Sequence, residues 1–348
     1  MLIFLLKRSG VMLLTALCLT FVVFFLTNLE PNLEKLTKSE GNMRMSDAQV
    51  HSWLEKNGFR QSLFKRYGEW LGVAPGWTRT DEEGNDFGRC VKAGESIANS
   101  SRFCGLLQGE WGTSRVFRAD IAGIVAEKLG HTGKLMLGVM LLMVPAALVI
   151  GVVAGMREGS KTDRSLSAFS ILTTSTPEYV SGVVFIVLFS SKLVGLRWFK
   201  GTATSALENI TFENFTLPVV TLALYGVGYI ARMTRASMSE VMTEQYIRTA
   251  RLKGLGFSAV VMKHALRNAL IAPFTVIMLQ IPWLLTGVVI VETLFNYKGF
   301  GWTLVQAVQN NDIELLLACS VVAVLVVLVT QLISDIGYAF LNPRIRVN

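Results

Sequence analysis

Catalytic equipment is scarce in this chain. Its 348 residues include three histidines (His51, His131 and His264) and four cysteines, none at the spacing of a metal-ligand set. No Ser/His/Asp constellation and no pair of catalytic carboxylates is visible, so nucleophilic and acid–base catalysis have no seat. One stretch, Gly155-Met-Arg-Glu-Gly-Ser-Lys-Thr162, carries the residue types of a phosphate-cradling loop. Only three residues separate its glycines, however, and Ser160 intervenes before Lys161. It also follows an apolar helix, where a buried strand is required to aim backbone amides at phosphate. Nucleotide hydrolysis is therefore not this chain's own chemistry. Charge is thin as well: 17% of residues are charged and 51% hydrophobic, with a mean hydropathy of +0.47. That balance excludes an ordinary soluble domain. The net charge of +8 is spread over several segments without a binding module, which excludes a nucleic-acid reader. No internal repeat or low-complexity tract occurs.

What is present is long apolar sequence. Six windows, residues 11–27, 135–155, 166–191, 215–231, 269–291 and 315–334, are largely uncharged. Each approaches or exceeds the ~20 residues that carry a helix across ~30 Å of hydrocarbon. The weakest is 215–231, diluted by Thr216, Pro218, Thr221, Tyr225, Gly226 and Gly228, and a buried helix of the soluble kind is its alternative reading. The first window is longer than the apolar part of a secretory signal and no small-residue cleavage site follows it, so an uncleaved anchor is expected. The fold class expected is an all-α polytopic membrane protein with six transmembrane helices.

Orientation follows from the basic residues in the short flanks. Lys7, Arg8, Arg157, Lys161, Arg164, Arg232, Arg235, Arg248, Arg251, Lys253, Lys263, Arg267, Arg344 and Arg346 fall on one side, against Lys192, Arg197, Lys200 and Lys298 on the other. Fourteen against four places both termini and the loop around Gly254 in the cytoplasm. Residues 31–131 then form an extracytoplasmic insertion, too large to be a turn. Ser46-Asp47 can cap a helix carrying Val50, Trp53 and Leu54 that Gly58 ends, and Leu63, Phe64, Tyr67, Trp70 and Leu71 form an apolar stripe on a second helix. The stripe is expected to pack on the membrane core or within the insertion. Residues 75–104 are rich in Gly, Asp, Asn and Ser and read as an irregular lobe. Cys90 and Cys104 lie within it, close in sequence and in an oxidising compartment, so a disulfide is predicted. Cys18 and Cys319 sit in apolar spans and are expected to be inert core residues.

The most informative segment runs from Tyr246 to Pro273. From Glu240 to Lys253 charged residues alternate with Val241, Tyr246, Ile247, Ala250 and Leu252, giving a short helix with one apolar edge. Gly254 and Gly256 then permit a sharp turn and close backbone approach, and a second helix resumes over 260–270. Spacing alone leaves two readings open: a rigid projection gripped by a soluble partner, or a solvated connector lying on the bilayer.

The segment resembles the coupling loop of ABC importer permeases. At the positions of its Glu-Ala-Ala, Gly and Ile-x-Leu-Pro elements stand Arg248-Thr249-Ala250, Gly254 and His264-Ala-Leu266-Arg267. Only Ala250, Gly254 and Leu266 fit that general form. The run is closer to the version in dipeptide, oligopeptide and nickel permeases, Tyr-x-Arg-Thr-Ala-x-x-Lys-Gly-Leu followed by Arg/Lys-His-Ala-Leu-Arg-Asn-Ala, where Arg248, Lys253, His264, Arg267 and Asn268 all have counterparts. Gly109-Glu-Trp-Gly-Thr-Ser114, Gly159-Ser-Lys-Thr-Asp163-Arg164, Ser175-Thr-Pro177-Glu-Tyr-Val-Ser-Gly182, Ala231-Arg232-Met-Thr-Arg235-Ala-Ser237-Met238 and the ending Asn342-Pro343-Arg344-Ile-Arg346 follow in the same order. Val291-Glu292-x-x-Phe295-x-x-Lys298-Gly299-x-Gly301 fits too, with Lys298 in place of the usual proline. The likeness covers residues 1–27, roughly 46–71 and 109–348, and leaves the 75–104 lobe without a counterpart.

The resemblance implies a type I ABC importer permease fold with an N-terminal helix over 1–30, the insertion over 31–131, and a core over 132–348 that includes the coupling loop 232–268. It implies a multi-pass protein of the bacterial inner membrane that imports di- or oligopeptides, with nickel as the alternative cargo. The implied partners are a homologous second permease, two ATPase subunits that use ATP and Mg, and an extracytoplasmic substrate-binding protein. This chain itself would bind no cofactor. Arg248, Thr249, Ala250, Lys253, Gly254, Leu255, Gly256 and Phe257 would engage the ATPase. Apart from the likeness, Glu178 follows Pro177 near mid-bilayer, where an ionisable group costs roughly 2.5–3.5 kcal/mol unless it faces a cavity or partner. With Thr174 and Tyr179 it is expected to line the substrate path, a structural carboxyl being the alternative. Glu292 is expected to be a structural anchor, and Gly151-x-x-x-Gly155 to permit close helix packing. An ion-coupled secondary transporter using Glu178 and a membrane scaffold are rivals; the former commonly shows paired repeats with broken helices, not visible in the sequence.

Overall fold

The computed structural model describes residues 2–42, 44–81, 84–91, 94–191 and 196–341. Lys192, Arg344 and Arg346, used for orientation, and the Asn342-Pro343-Arg344-Ile-Arg346 ending lie outside the described residues. In chain order the helices begin with α1 (Leu2–Thr27), α2 (Glu30–Glu40), α3 (Asp47–Lys56) and α4 (Leu63–Leu71). A short antiparallel hairpin follows, β1 (Thr78–Thr80) with β2 (Asp86–Gly88). Then come α5 (Ile121–Met156), α6 (Lys161–Ser175), α7 (Glu178–Phe189), α8 (Phe212–Thr243) and α9 (Gln245–Leu252). The chain closes with α10 (Phe257–Ala259), α11 (Leu266–Ala269), α12 (Ile271–Leu294), α13 (Phe300–Gln309) and α14 (Ile313–Leu341).

Among the described residues, four helices, α1, α5, α8 and α14, are long and apolar enough to cross a membrane unbroken. Two further pairs pass the same test only together: α6 with α7, bent by 105°, and 257–269 with the first part of α12, bent by 51°. The six spans expected from hydropathy are thus six only if each bent pair crosses once. Pro177 causes the sharper break. Thr176 before it is extended (φ −99°, ψ 120°), as steric conflict with the proline ring requires, and α7 starts afresh at Glu178. Glu178 is therefore not a dozen residues into a continuous span; it occupies the first turn of a new helix at an elbow. This chain does carry broken helices, which the sequence did not reveal.

Two compact units divide the chain: residues 1–10, 128–303 and 325–348 in one, 11–127 and 304–324 in the other. In the first, α8 is central. Its spanning window has mean hydropathy 1.4, against 2.4–2.8 for the other three, yet 67% of it is buried. A helix surrounded by protein has no lipid to satisfy, which is why 215–231 looked weak in sequence. Side chains at 151 and 155 would strike it: a Cβ at Gly151 would lie 2.6 Å from the Ala231 carbonyl oxygen, and one at Gly155 2.8 Å from that of Arg235. The Gly151-x-x-x-Gly155 stripe thus lets α5 and α8 backbones meet. Leu135, Val139, Met143, Leu222, Ile230, Leu284, Phe295 and Tyr297 fill the core of this unit.

The second unit holds the insertion. Ser46 and Gln49 form the capping box that starts α3, and Gly72 in the left-handed region closes α4. Trp70, Val50 and Leu54 pack with Phe24, Leu33, Leu36, Ile313 and Leu317. The apolar stripe of α4 is thus spent on packing, as expected, although Phe64 stays 76% exposed and stacks on Phe21 with centroids 5.4 Å apart. Cys90 and Cys104 are bonded, with Cα atoms 5.5 Å apart. Ser114 of the Gly109–Ser114 motif is buried and donates to Asp312 Oδ2 (2.7 Å), which also accepts from the amides of Arg115 and Val116. Cys319 is buried, but Cys18 is exposed among Leu13, Leu14 and Leu17 on the outer surface of α1, because a span facing lipid needs no buried face.

Candidate functional site

The loop between α8 and α12 is built as a packed base with a bare tip. Ile247 and Ala250, three residues apart on α9, share one helical face and are buried against Met238, Val260, Val261, Ala265 and Ala269. Leu252 lies about 140° around the helix from Ile247. It is 81% exposed rather than part of that apolar edge. Arg248, Thr249, Lys253, Gly254, Leu255, Gly256 and Phe257 are exposed with it, whereas Ala250 of the expected docking set is buried. The tip therefore presents an apolar trio, Leu252, Leu255 and Phe257, among Arg248, Arg251 and Lys253.

The two glycines differ. Gly254 has φ +76°, a left-handed turn that L residues resist, and its amide donates to the Arg251 carbonyl (3.0 Å). Gly256 is ordinary extended backbone (φ −64°, ψ 150°) at the start of α10, so the expected conformational role belongs to Gly254 alone. A Cβ at either position would meet nothing within 4 Å. Beyond the tip the helix does not resume regularly, because residues Val260–Ala265 form a π-helical turn before α11. That wider turn accompanies burial of Val260, Val261 and Ala265 together, and Asn268 Nδ2 donates to the Tyr246 hydroxyl (2.9 Å), tying the outgoing helix to α9.

One ion pair links this region to the elbow. Asp163, 2% exposed in the first turn of α6, accepts from Arg235 of α8 through Nε (2.5 Å) and Nη2 (2.8 Å), a bidentate pair. Its carboxylate also accepts from the Gly159 amide (2.9 Å) and the Ser167 hydroxyl (3.2 Å). Motifs in two separate stretches of sequence thus meet in one clamp.

At the far end of α6, Thr174, Glu178 and Tyr179 gather at the elbow. The Thr174 hydroxyl is spent on the Ser170 carbonyl (2.9 Å), and Tyr179 is 55% exposed. Glu178, half-buried, reaches towards α12, where its Oε1 lies 3.7 Å from the Cβ position of Gly287. Sequence reasoning missed an aromatic column between α8 and α12: Trp283 of α12 stacks on Tyr225 of α8 (4.4 Å, 18°), which lies parallel to Tyr229 at 6.5 Å. The i, i+4 spacing of the tyrosines was legible; their meeting with Trp283 was not.

Glu292 is an anchor, as expected. It is fully buried, accepts from the Thr132 hydroxyl (2.5 Å) and the Trp302 amide (2.9 Å), and a Cβ at Gly299 would sit 2.2 Å from its Oε1. Glycine at 299 is required by that approach, while Lys298 in place of proline lays its ammonium 5.7 Å from the Trp302 ring.

Residues 147–347 match the family described as binding-protein-dependent transport system inner membrane component. The chain is 34% identical to a probable peptide ABC transporter permease protein, y4tP, of Sinorhizobium fredii over 69% of its own length and 77% of that protein's. It is 29% identical to the oligopeptide transport system permease protein AppB of Bacillus subtilis, covering 87% of each. It is likewise 29% identical to the di/tripeptide transport system permease protein DppB of Pseudomonas aeruginosa, covering 99% of each.

Proposed function

This chain belongs to the family of binding-protein-dependent transport system inner membrane components, and from that premise we propose that it is the permease subunit of an ABC importer for di- or oligopeptides. The observation that carries the reading is the loop tip: three exposed apolar side chains and three bases on a turn whose base is fully packed. A free connector has no reason to expose Leu252, Leu255 and Phe257 together; a groove on a soluble partner supplies one. The partners are two ATPase subunits in the cytoplasm, a homologous second permease, and an extracytoplasmic binding protein that delivers the peptide. The chain is non-catalytic, holds no cofactor, and sits in the bacterial inner membrane with both termini and the Gly254 loop in the cytoplasm. No named relative supports nickel as cargo.

ATP can drive two conformations only if its binding favours one of them, so the loop must transmit force. A rigid route is available. Movement of α9 is passed to α8, and the Arg235–Asp163 clamp passes it to α6, whose other end is the elbow. Rocking of α6 against α7 would open and close a path lined by Glu178, Tyr179 and the Trp283–Tyr225–Tyr229 column, with Thr174 at its edge. Glu178 meets the amino end of the peptide there. The test is uptake of a labelled tripeptide by proteoliposomes holding the two permeases, both ATPases and the binding protein. ATP-dependent uptake that falls with Glu178→Gln, at unchanged ATPase capture, is expected. Uptake without ATP would remove the importer reading, and full uptake of every peptide by Glu178→Gln would remove the carboxylate from the path.

A further inference from the structure

The 75–104 lobe, which the importer motifs leave aside, encloses much of the wall of a cavity of about 740 Å³ lying wholly within the second unit. That volume falls within the roughly 300–1,000 Å³ usual for small-ligand sites. Its apolar wall is aromatic: Trp53 and Phe59 stack with centroids 5.8 Å apart, and Trp77 and Phe103 complete it. The Cys90–Cys104 bond runs along the same wall.

Polar groups of both signs converge on this space. Arg89 and Arg115 line it with Glu95, Glu110 and Glu314. A smaller annex of about 80 Å³, bounded again by Trp77, Phe59, Arg89 and Arg115, continues inward to Arg66 and Glu69. Here hydrogen-bonding capacity is left unspent. The Nε of Arg89 is buried without a hydrogen-bond partner, and so is Oε1 of Glu69, a residue only 2% exposed whose nearest base, Lys65 Nζ, is 4.0 Å away. Buried polar atoms are almost always partnered in folded proteins. Both residues border the annex behind the aromatic-walled cavity, so ionisable side chains stand close behind that wall. Burial also lowers the Arg66 and Arg89 pKa values, Arg66 to about 10.

We infer that this cavity is a second binding site for short zwitterionic peptides, distinct from the membrane path, in which Arg89 receives the terminal carboxylate and Trp77, Phe59 and Phe103 hold the side chains. The inference rests on the peptide reading above and adds a station on the permease itself. Mixed charge favours a molecule carrying both an ammonium and a carboxylate over a simple anion, because each end finds an opposite charge.

The experiment is calorimetric titration of alanyl-phenylalanine into the full chain in nanodiscs, without binding protein. Saturable binding is expected. It should weaken at least about tenfold in Arg89→Gln and with the C-terminally amidated dipeptide, the loss of a charge-assisted hydrogen bond. Phe103→Ala, at a position 45% exposed, should weaken it as well. Resistance of Cys90 and Cys104 to thiol labelling in each variant reports that the lobe is intact. Absence of saturable binding, equal binding of the amidated peptide, or full binding by Arg89→Gln would overturn the site. So would binding of an intact delivery protein alone, which would make the cavity a protein-docking surface. ATP-driven uptake that continues while the dipeptide fails to bind defeats this inference and leaves the importer reading standing; uptake without ATP defeats that reading instead.

Discussion

Alanine at Gly254 and alanine at Gly256 should act oppositely on the loop. At Gly254, φ is +76°, and an L residue there costs about 1–2 kcal/mol. The narrower unfolded ensemble of alanine returns about 0.4–1 kcal/mol, leaving a net loss near 1 kcal/mol. At Gly256 the backbone (φ −64°, ψ 150°) suits any residue and no atom lies within 4 Å of the added Cβ, so only the entropic gain of about 0.4–1 kcal/mol remains. Hydrogen exchange at the α9 amides should therefore quicken in Gly254→Ala and slow slightly in Gly256→Ala. Docking responds to something else, the room a partner has for the tip. Gly256→Leu adds a side chain that meets nothing in this chain but overfills a fitted groove, at about 1–3 kcal/mol, or roughly five- to 150-fold in affinity. The assay is capture of the ATPase subunits by the immobilised permease, with stimulation of ATP hydrolysis as a second readout. If Gly256→Leu captures and stimulates as wild type does, the tip is not seated in a partner and the force route through α8 has no origin.

Three further outcomes are expected. Arg235→Met strips two charge-assisted bonds from buried Asp163, which keeps its bonds to Gly159 and Ser167, so unfolding in nanodiscs should lose roughly 3–5 kcal/mol. In the double variant with Asp163→Asn the losses should add to less than their sum, and strict additivity would deny the pair. Cys90→Ser opens a crosslink of sequence separation 14 and should destabilise the lobe by about 3 kcal/mol, read as faster proteolysis within 75–104; in the wild type, thiol reagent should label neither cysteine before reduction. Glu69, in α4, is held above the ordinary carboxylate range by burial, against the opposing pull of Lys65, Arg89 and Arg66. With the folded pKa raised, the native insertion binds more protons than the unfolded chain as pH rises past the unfolded value, so its stability falls over that interval. Glu69→Gln should flatten the fall, and an unchanged pH profile would place the titration elsewhere.

Much of this molecule is written locally. Runs of apolar residues fix the membrane class, because crossing hydrocarbon is a demand each segment meets alone. The cap at Ser46, the α4 stripe and the cysteines of the lobe were readable for the same reason: cap, periodicity and oxidising compartment are properties of neighbours in sequence. The turn at Gly254 was readable as well, and only the structure separated it from Gly256, since identical residues differ in φ according to the chain that flanks them. Pro177 announced a disturbance but not a 105° elbow, whose angle depends on what α6 and α7 pack against. The low hydropathy of α8 became meaningful once it proved to be the central helix, because burial by other helices substitutes for lipid. The Arg235–Asp163 clamp, the Trp283–Tyr225–Tyr229 column and the aromatic cavity of the lobe join residues far apart along the chain. Sequence supplied their chemistry; tertiary structure alone chose their partners, because side-chain contact depends on distance in space and a linear pattern specifies only which face each residue occupies.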